Sequence, residues 1–290
     1  MVWNLQNQTR ASQASRSMKY NFIDFIEKPI EIYAFIDPVC NVCWALNPIL
    51  KKLSLEYGRF FTIRPVIICH MSNFYKSKGN VTSIWKKANT LADIHSIQSK
   101  NSTDFPWITA MGIKAAGFQG NKAARTYLRK VQEAYFIKNK DITDEHVLIT
   151  CAINSKLDVE EFKNDLYAES SEKAFQCDLK VMMEMGVRTI PALVFFNHII
   201  GDHGIKICGV HSYETYVHIL KEVLQKDAIP AKKPPLEEFL AYYKLVGNKE
   251  LSIVFDRTYT DMEREMKKLL LKRKVEKMHA NYDIFWKYIS

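Results

Sequence analysis

Two cysteines separated by two residues, Cys40-Asn-Val-Cys43, have the types and spacing best suited to chemistry in this chain. On the first turn of a helix such thiols can pass between a dithiol and a disulfide. Free N–H groups and the positive end of the helix dipole hold a thiolate below the pKa of about 8.5 of an ordinary cysteine. Cys40 is then the nucleophile, and Cys43, one turn on, resolves it. Asn41 and Val42 bring no cation, so the pair is expected to be less oxidising than one flanked by a positive side chain. Zinc is the rival use of the same thiols, with Cys69-His70 as neighbouring donors. A second close Cys/His pair is missing, so no metal and no other cofactor is expected. His95, His146, His198, His203 and His211 are scattered without ligand spacing, and neither a Gly-rich phosphate loop nor a Ser/His/Asp arrangement is present.

The elements that must position the pair are legible around it. Residues 30–36 are β-branched and aromatic, as a strand requires. Leu46, Ile49, Leu50 and Leu53 then recur at helical spacing, and Gly58 follows the last periodic residue. Residues 60–69 form a continuous apolar run that reads as a central strand parallel to the first, although Pro65 argues for a bulge or an edge. Residues 71 to about 164 are helical in pattern, with breaks at 79–80, 105–106, 117–120 and 138–141. Residues 121–139 are amphipathic, a second helix is capped by Thr143, and residues 159–166 and 172–185 give two more. Pro191 opens an apolar strand to Phe196; residues 205–210 are another strand, and residues 212–225 a helix. This order predicts an α/β thioredoxin-like fold with Pro191 cis and facing the cysteines. The long helical inset makes it DsbA-like. Trp44, Thr189, Ile190 and Pro191 are expected to line an apolar groove beside the pair where a partner's extended segment could dock by strand addition.

Residues 1–20 are polar and aperiodic and read as a flexible tail. Residues 21–228 make the DsbA-like domain, with the helical insertion at about 71–170. Residues 225–235, with three prolines and three lysines, read as a linker. Residues 236–290 then form a small winged-helix-like unit. In it, helices over 236–245, 249–255 and from a Thr260 cap to about 274 precede a hairpin of 275–279 and 284–288. The 290 residues, 47% hydrophobic, suffice for a proper core. No apolar run reaches the ~18 residues that a membrane span needs. Residues 1–10 lack a secretory pattern, and a cytoplasmic location is expected. The formal charge is +9, and Lys267, Lys268, Lys272, Arg273, Lys274 and Lys277 cluster near the C-terminus. Without interleaved aromatics these charges read as a solvated face, and no nucleic-acid or membrane partner is expected.

The segment Phe35-Ile-Asp-Pro-Val-Cys-Asn-Val-Cys-Trp-Ala-Leu46, the turn at residues 57–61, the Thr189-Ile-Pro-Ala192 strand start and the closing Phe285-Trp-Lys-Tyr288 together resemble the SpxH (YjbH) family, from about residue 20 to the C-terminus. The resemblance implies an adaptor, not an enzyme, that binds the stress transcription regulator Spx and hands it to the ClpXP protease. Cys40 and Cys43 at most modulate this. The alternative is a cytosolic thiol-disulfide oxidoreductase of the DsbA or FrnE type. Some members of the family carry a His/Cys-rich N-terminal stretch tied to metal-linked redox sensing; residues 1–20 here hold neither residue.

Overall fold

The computed structural model describes residues 28–68, 107–200, 204–280 and 283–289. The N-terminal tail, the Cys69-His70 pair, His95, His203 and the insertion before Trp107 lie outside the described residues.

A four-stranded sheet of order β2-β1-β3-β4 is built from β1 (Ile30–Ile36), β2 (Phe61–Ile67), β3 (Ala192–Asn197) and β4 (Ile205–Cys208). β2 runs parallel to β1 in the register Ile30 to Phe61, whereas β3 is antiparallel to both β1 and β4. Strand alternation sends Ile30, Ile32, Ala34, Leu193 and Phe195 to one face. There they pack against α1 (Asn41–Tyr57) and α7 (Tyr213–Leu224). Phe35, Val66, Ala192 and Val194 pack on the other face against the helical inset. That inset comprises α2 (Trp107–Phe118), α3 (Asn121–Phe136), α4 (Glu145–Asn154), α5 (Val159–Leu166) and α6 (Glu169–Glu184).

Several expectations are corrected. β2 is an edge strand, not a central one. Its apolar run comes from being covered by α3 and α6, and the N–H of Ile67 donates to the Asp178 carboxylate of α6 at 2.6 Å. Pro65, lacking an N–H, is tolerated at that position. Asp144, not Thr143, caps α4 by accepting from the N–H of His146 at 2.8 Å. The stretch 225–235 is also fastened rather than free. Ala231 N–H donates to the Glu56 carbonyl at 2.7 Å, Arg59 donates to the Ile229 carbonyl, and Lys233 pairs with Glu56 at 3.1 Å and with Asp256.

Beyond that stretch come α8 (Leu236–Tyr243), β5 (Leu245–Gly247), α9 (Asn248–Phe255), α10 (Tyr259–Leu271), β6 (Val275–Ala280) and β7 (Asp283–Tyr288), with a second sheet of order β5-β7-β6. The helix expected to continue to residue 245 gives way to β5. Lys244 takes a positive φ of 63° and ends α8 there. Thr258 caps α10 in place of Thr260, its hydroxyl oxygen accepting from the N–H of Asp261 at 3.1 Å. A separate core fills this part, with Phe239, Leu251, Met266 and fully buried Trp286 at its centre. The indole N–H donates to Asn248 at 3.1 Å, so the polar edge of that ring is satisfied.

Candidate functional site

β1 delivers the cysteines to the carboxyl end of the sheet. After Ile36 the chain turns at Asp37-Pro38, and Cys40 enters as the N-cap of α1 in extended backbone geometry (φ −77°, ψ 120°). Its Sγ accepts from the N–H of Cys43 at 3.4 Å, and the N–H of Cys40 donates to the Asp37 carbonyl at 3.1 Å. Both thiols are free; Cys43 is buried and Cys40 half-exposed. The Cys43 thiol hydrogen bond to Cys40, against the cost of burial and with help from the N–H groups of Cys43 and Val42, pulls the Cys40 pKa down to about 6. Cys43 moves the opposite way, raised by that same bond and by burial. A half-exposed thiol whose pKa is lowered thus stands before a buried thiol whose pKa is raised.

Asp37, which the sequence shows only as a turn former, is buried beside the pair. Its carboxyl is 6% exposed and accepts from the N–H of Val39 at 2.8 Å, and burial pushes its pKa up to about 7, to which the charge of Cys40 adds. Asp37 is thus shifted upward and Cys40 downward from their ordinary values. The signal that could have found it is an acidic residue that directly follows the apolar end Ala34-Phe-Ile36 of a strand.

The antiparallel register sets Phe35 opposite Ala192, which places Pro191 beside Ile36. The Ile190–Pro191 bond is cis, and the Pro191 carbonyl accepts from the N–H of Gly209 at 2.7 Å. Gly209 takes φ 86° there, a conformation in which a side chain would be strained. Pro191 is buried, Ile190 half-buried and Thr189 exposed. Ile190 and Cys40 pack on the same core cluster as Cys43. The structure thus brings Cys40, Cys43, Ile190 and Pro191 to one end of the sheet.

Trp44 goes elsewhere. Its ring lies 5.1 Å from that of Phe136, the Arg129 guanidinium stands 4.4 Å over it, and both aromatics pack on the cluster of Ile137, Leu245 and Phe285. It joins α1 to α3 and the C-terminal sheet instead of lining a groove beside Pro191. Next to it is a buried ionic junction that sequence reading missed. Glu250 of α9 pairs with Lys51 of α1 and, at 3.1 Å, with Arg129 of α3, which also holds Glu133 at 3.0 Å. Burial works against the Glu250 charge, but Arg129 and Lys51 outweigh it and bring its pKa down to about 2. Burial lowers Lys51 to about 8, with Glu250 opposing. Arg129 and Glu250 lie 121 residues apart and Lys51 is farther still from Glu250, so no local pattern announces them.

Of the remaining candidates, His146, His198 and His211 are exposed and apart. The C-terminal lysines are partly neutralised: Lys267 pairs with Glu263 at 2.8 Å, Lys268 with Glu265 at 2.8 Å and Lys274 with Glu237. Among the described residues no group of three or more His, Cys, Asp or Glu side chains is arranged to hold a metal ion, and no helix is long and apolar enough to cross a membrane.

Comparison with known proteins gives three findings. A thioredoxin family model (Thioredoxin_5) matches residues 33–218. The ClpXP adapter protein SpxH of Bacillus licheniformis is 42% identical over 270 residues, covering 91% of this chain and 90% of that protein, and its Bacillus subtilis counterpart is 41% identical over 271 residues, covering 91% of each. Among solved structures, a putative protein disulfide isomerase from Nitrosomonas europaea superposes with a TM-score of 0.51 at 14% identity, over 68% of this chain and 97% of that one, which supports the thioredoxin-like, DsbA-like fold.

Proposed function

The chain belongs to the SpxH family of ClpXP adapter proteins within the wider thioredoxin family, and on that premise we propose that it is an adaptor that binds the regulator Spx and presents it to ClpXP. One observation carries the reading. Likeness to the adapters extends over 91% of the chain, whereas the disulfide isomerase fold accounts for 68%. What this chain adds to an oxidoreductase scaffold is thus something the adapters share. We read residues 21–228 as the DsbA-like domain and 236–290 as a small winged-helix-like unit. Support for the latter comes from its separate core, its separate sheet and the order helix, strand, helix, helix, strand, strand. In this reading Cys40, Thr189, Ile190 and Pro191 edge the surface where a partner's extended segment docks. The chain works in the cytoplasm, where ClpXP acts, and Cys40 and Cys43 modulate delivery rather than perform it.

A second reading, thiol-disulfide oxidoreductase, is favoured by the depressed pKa of Cys40. A reconstituted assay separates the two. With purified ClpXP and Spx, the chain should accelerate Spx turnover, and the Cys40→Ala/Cys43→Ala double variant should retain most of that effect. Loss of all turnover in a folded double variant would make the dithiol part of the mechanism. Rapid insulin reduction with no effect on Spx would establish the enzyme instead.

A further inference from the structure

Between the end of α3 and α4 lies an open cleft of about 330 Å³, lined by neither Cys40 nor Cys43. Its rim carries Lys130, Lys138, Lys140 and His146, and its floor is Ala134, Val147 and the buried thiol of Cys151. The two outer lysines sit on a fixed loop. Lys138 N–H donates to the Glu133 carbonyl at 3.1 Å and Lys140 N–H to the Ala134 carbonyl at 2.9 Å, Asn139 between them adopts φ 48°, and Ile137 and Ile142 on either side are buried.

The carboxylates nearby are committed to other partners. Glu133 is held by Arg129 and Lys130, and Asp141 accepts from the N–H of Thr143 at 2.8 Å. Asp144 caps α4, and Glu145 accepts from the Tyr167 hydroxyl at 2.5 Å. Lys138 and Lys140 consequently have no ion-pair partner among the described residues. Two exposed ammonium groups on a rigid rim above an apolar floor complement carboxylates that flank an apolar side chain.

We propose that this cleft binds a short acidic, apolar-interleaved segment of a protein partner, with Lys138 and Lys140 meeting its carboxylates and Val147 and Ala134 its apolar side chain. Ile137, the residue before Lys138, packs with Leu245 and Phe285. A segment bound here would therefore lie next to the junction with the C-terminal part. The inference is separable from the adaptor reading, because binding can be measured without any protease.

The test uses the full chain and a fluorescein-labelled peptide alternating glutamate and leucine, followed by fluorescence anisotropy. Binding should weaken as salt rises, and Lys138→Glu/Lys140→Glu should cost about tenfold or more in affinity. The neutral pair Lys138→Gln/Lys140→Gln should lose less, and Lys122→Glu, at the far end of α3, should lose nothing. Undiminished binding by the charge-reversed variant, equal binding of a lysine-leucine peptide, or no binding to the wild-type chain would overturn the proposal. So would pyrophosphate displacing the peptide and binding more tightly, because the cleft would then be a small-anion site.

Discussion

The two ends of helix α1 are held in opposite ways. At its start Cys40, Cys43 and Asp37 are governed by hydrogen bonds to groups within a few residues, with burial setting the rest, and no cation contributes to the depressed thiol. About two to four turns further on, Lys51, Lys52 and Glu56 reach across the chain. Lys51 goes to Glu250, Lys52 to Asp256 and to the Tyr213 ring at 4.0 Å, and Glu56 to Tyr213 and Lys233. Chemistry at one end is thus a local property of a helix N-terminus, while the other end clamps the C-terminal part to the thioredoxin-like body. Damage to the clamp should cost stability without changing the thiols, and damage to the thiols should do the reverse.

The largest effect should come from Glu250→Ala. It leaves Lys51 buried without its counter-charge and Arg129 with Glu133 alone, and should lose about 3–5 kcal/mol in urea denaturation. The Cys40 titration should stay where it is, and a shift of a full unit there would break the contrast. Acid should act through the same residue. The Glu250 pKa is lowered in the folded state, so its contribution is present above the unfolded value of 4.5 and is lost as the pH falls toward 2. A Glu250→Gln variant, already weakened at neutral pH, should show a flatter acid limb over that range in denaturation followed by circular dichroism.

Trp44→Ala comes next. Removing the contacts with Phe136 and Arg129 should cost about 1–3 kcal/mol in the same denaturation experiment. Because Trp44 follows Cys43 directly, it is also the sharpest probe of whether clamp and thiols are separate. The rate of Cys40 alkylation should be unaltered.

At neutral pH the smallest stability effect belongs to Cys40 itself. Alkylation mapped by mass spectrometry should show Cys40 reacting with a midpoint near pH 6 while Cys43 stays protected. The Cys40 pKa is depressed on folding, so its thiolate contributes fully above the unfolded value of about 9, and that contribution is lost as the pH falls through 6. Wild type and Cys40→Ser should therefore diverge as the pH rises from 6 to 9. Divergence in the other direction would mean that the thiol, not the thiolate, is the form the fold favours.

Much of this arrangement is readable from local pattern, since it obeys local rules. β-Branched and aromatic residues mark β1, helical periodicity marks α3 and α5, Pro191 marks the start of β3, and the closing hairpin shows in the two short runs on either side of residues 281–283. Caps were misplaced by one or two residues at α4 and α10, where more than one oxygen-bearing side chain competes to bind the first free N–H groups. β5 escaped notice because three residues are too few to display a period and the preceding helix overruns them.

By itself the sequence determined the dithiol at a helix start, the strand that carries it, the proline strand beside it and the helical inset. Each of these depends on residues close together in the chain. Only the tertiary structure decided that Trp44 faces the C-terminal part, that β2 is an edge, that the prolyl stretch is tied down, and that Glu250 meets Lys51 and Arg129. Burial of a charge depends on what the rest of the fold places around it, and partners far apart in the chain leave no spacing for a reader to find.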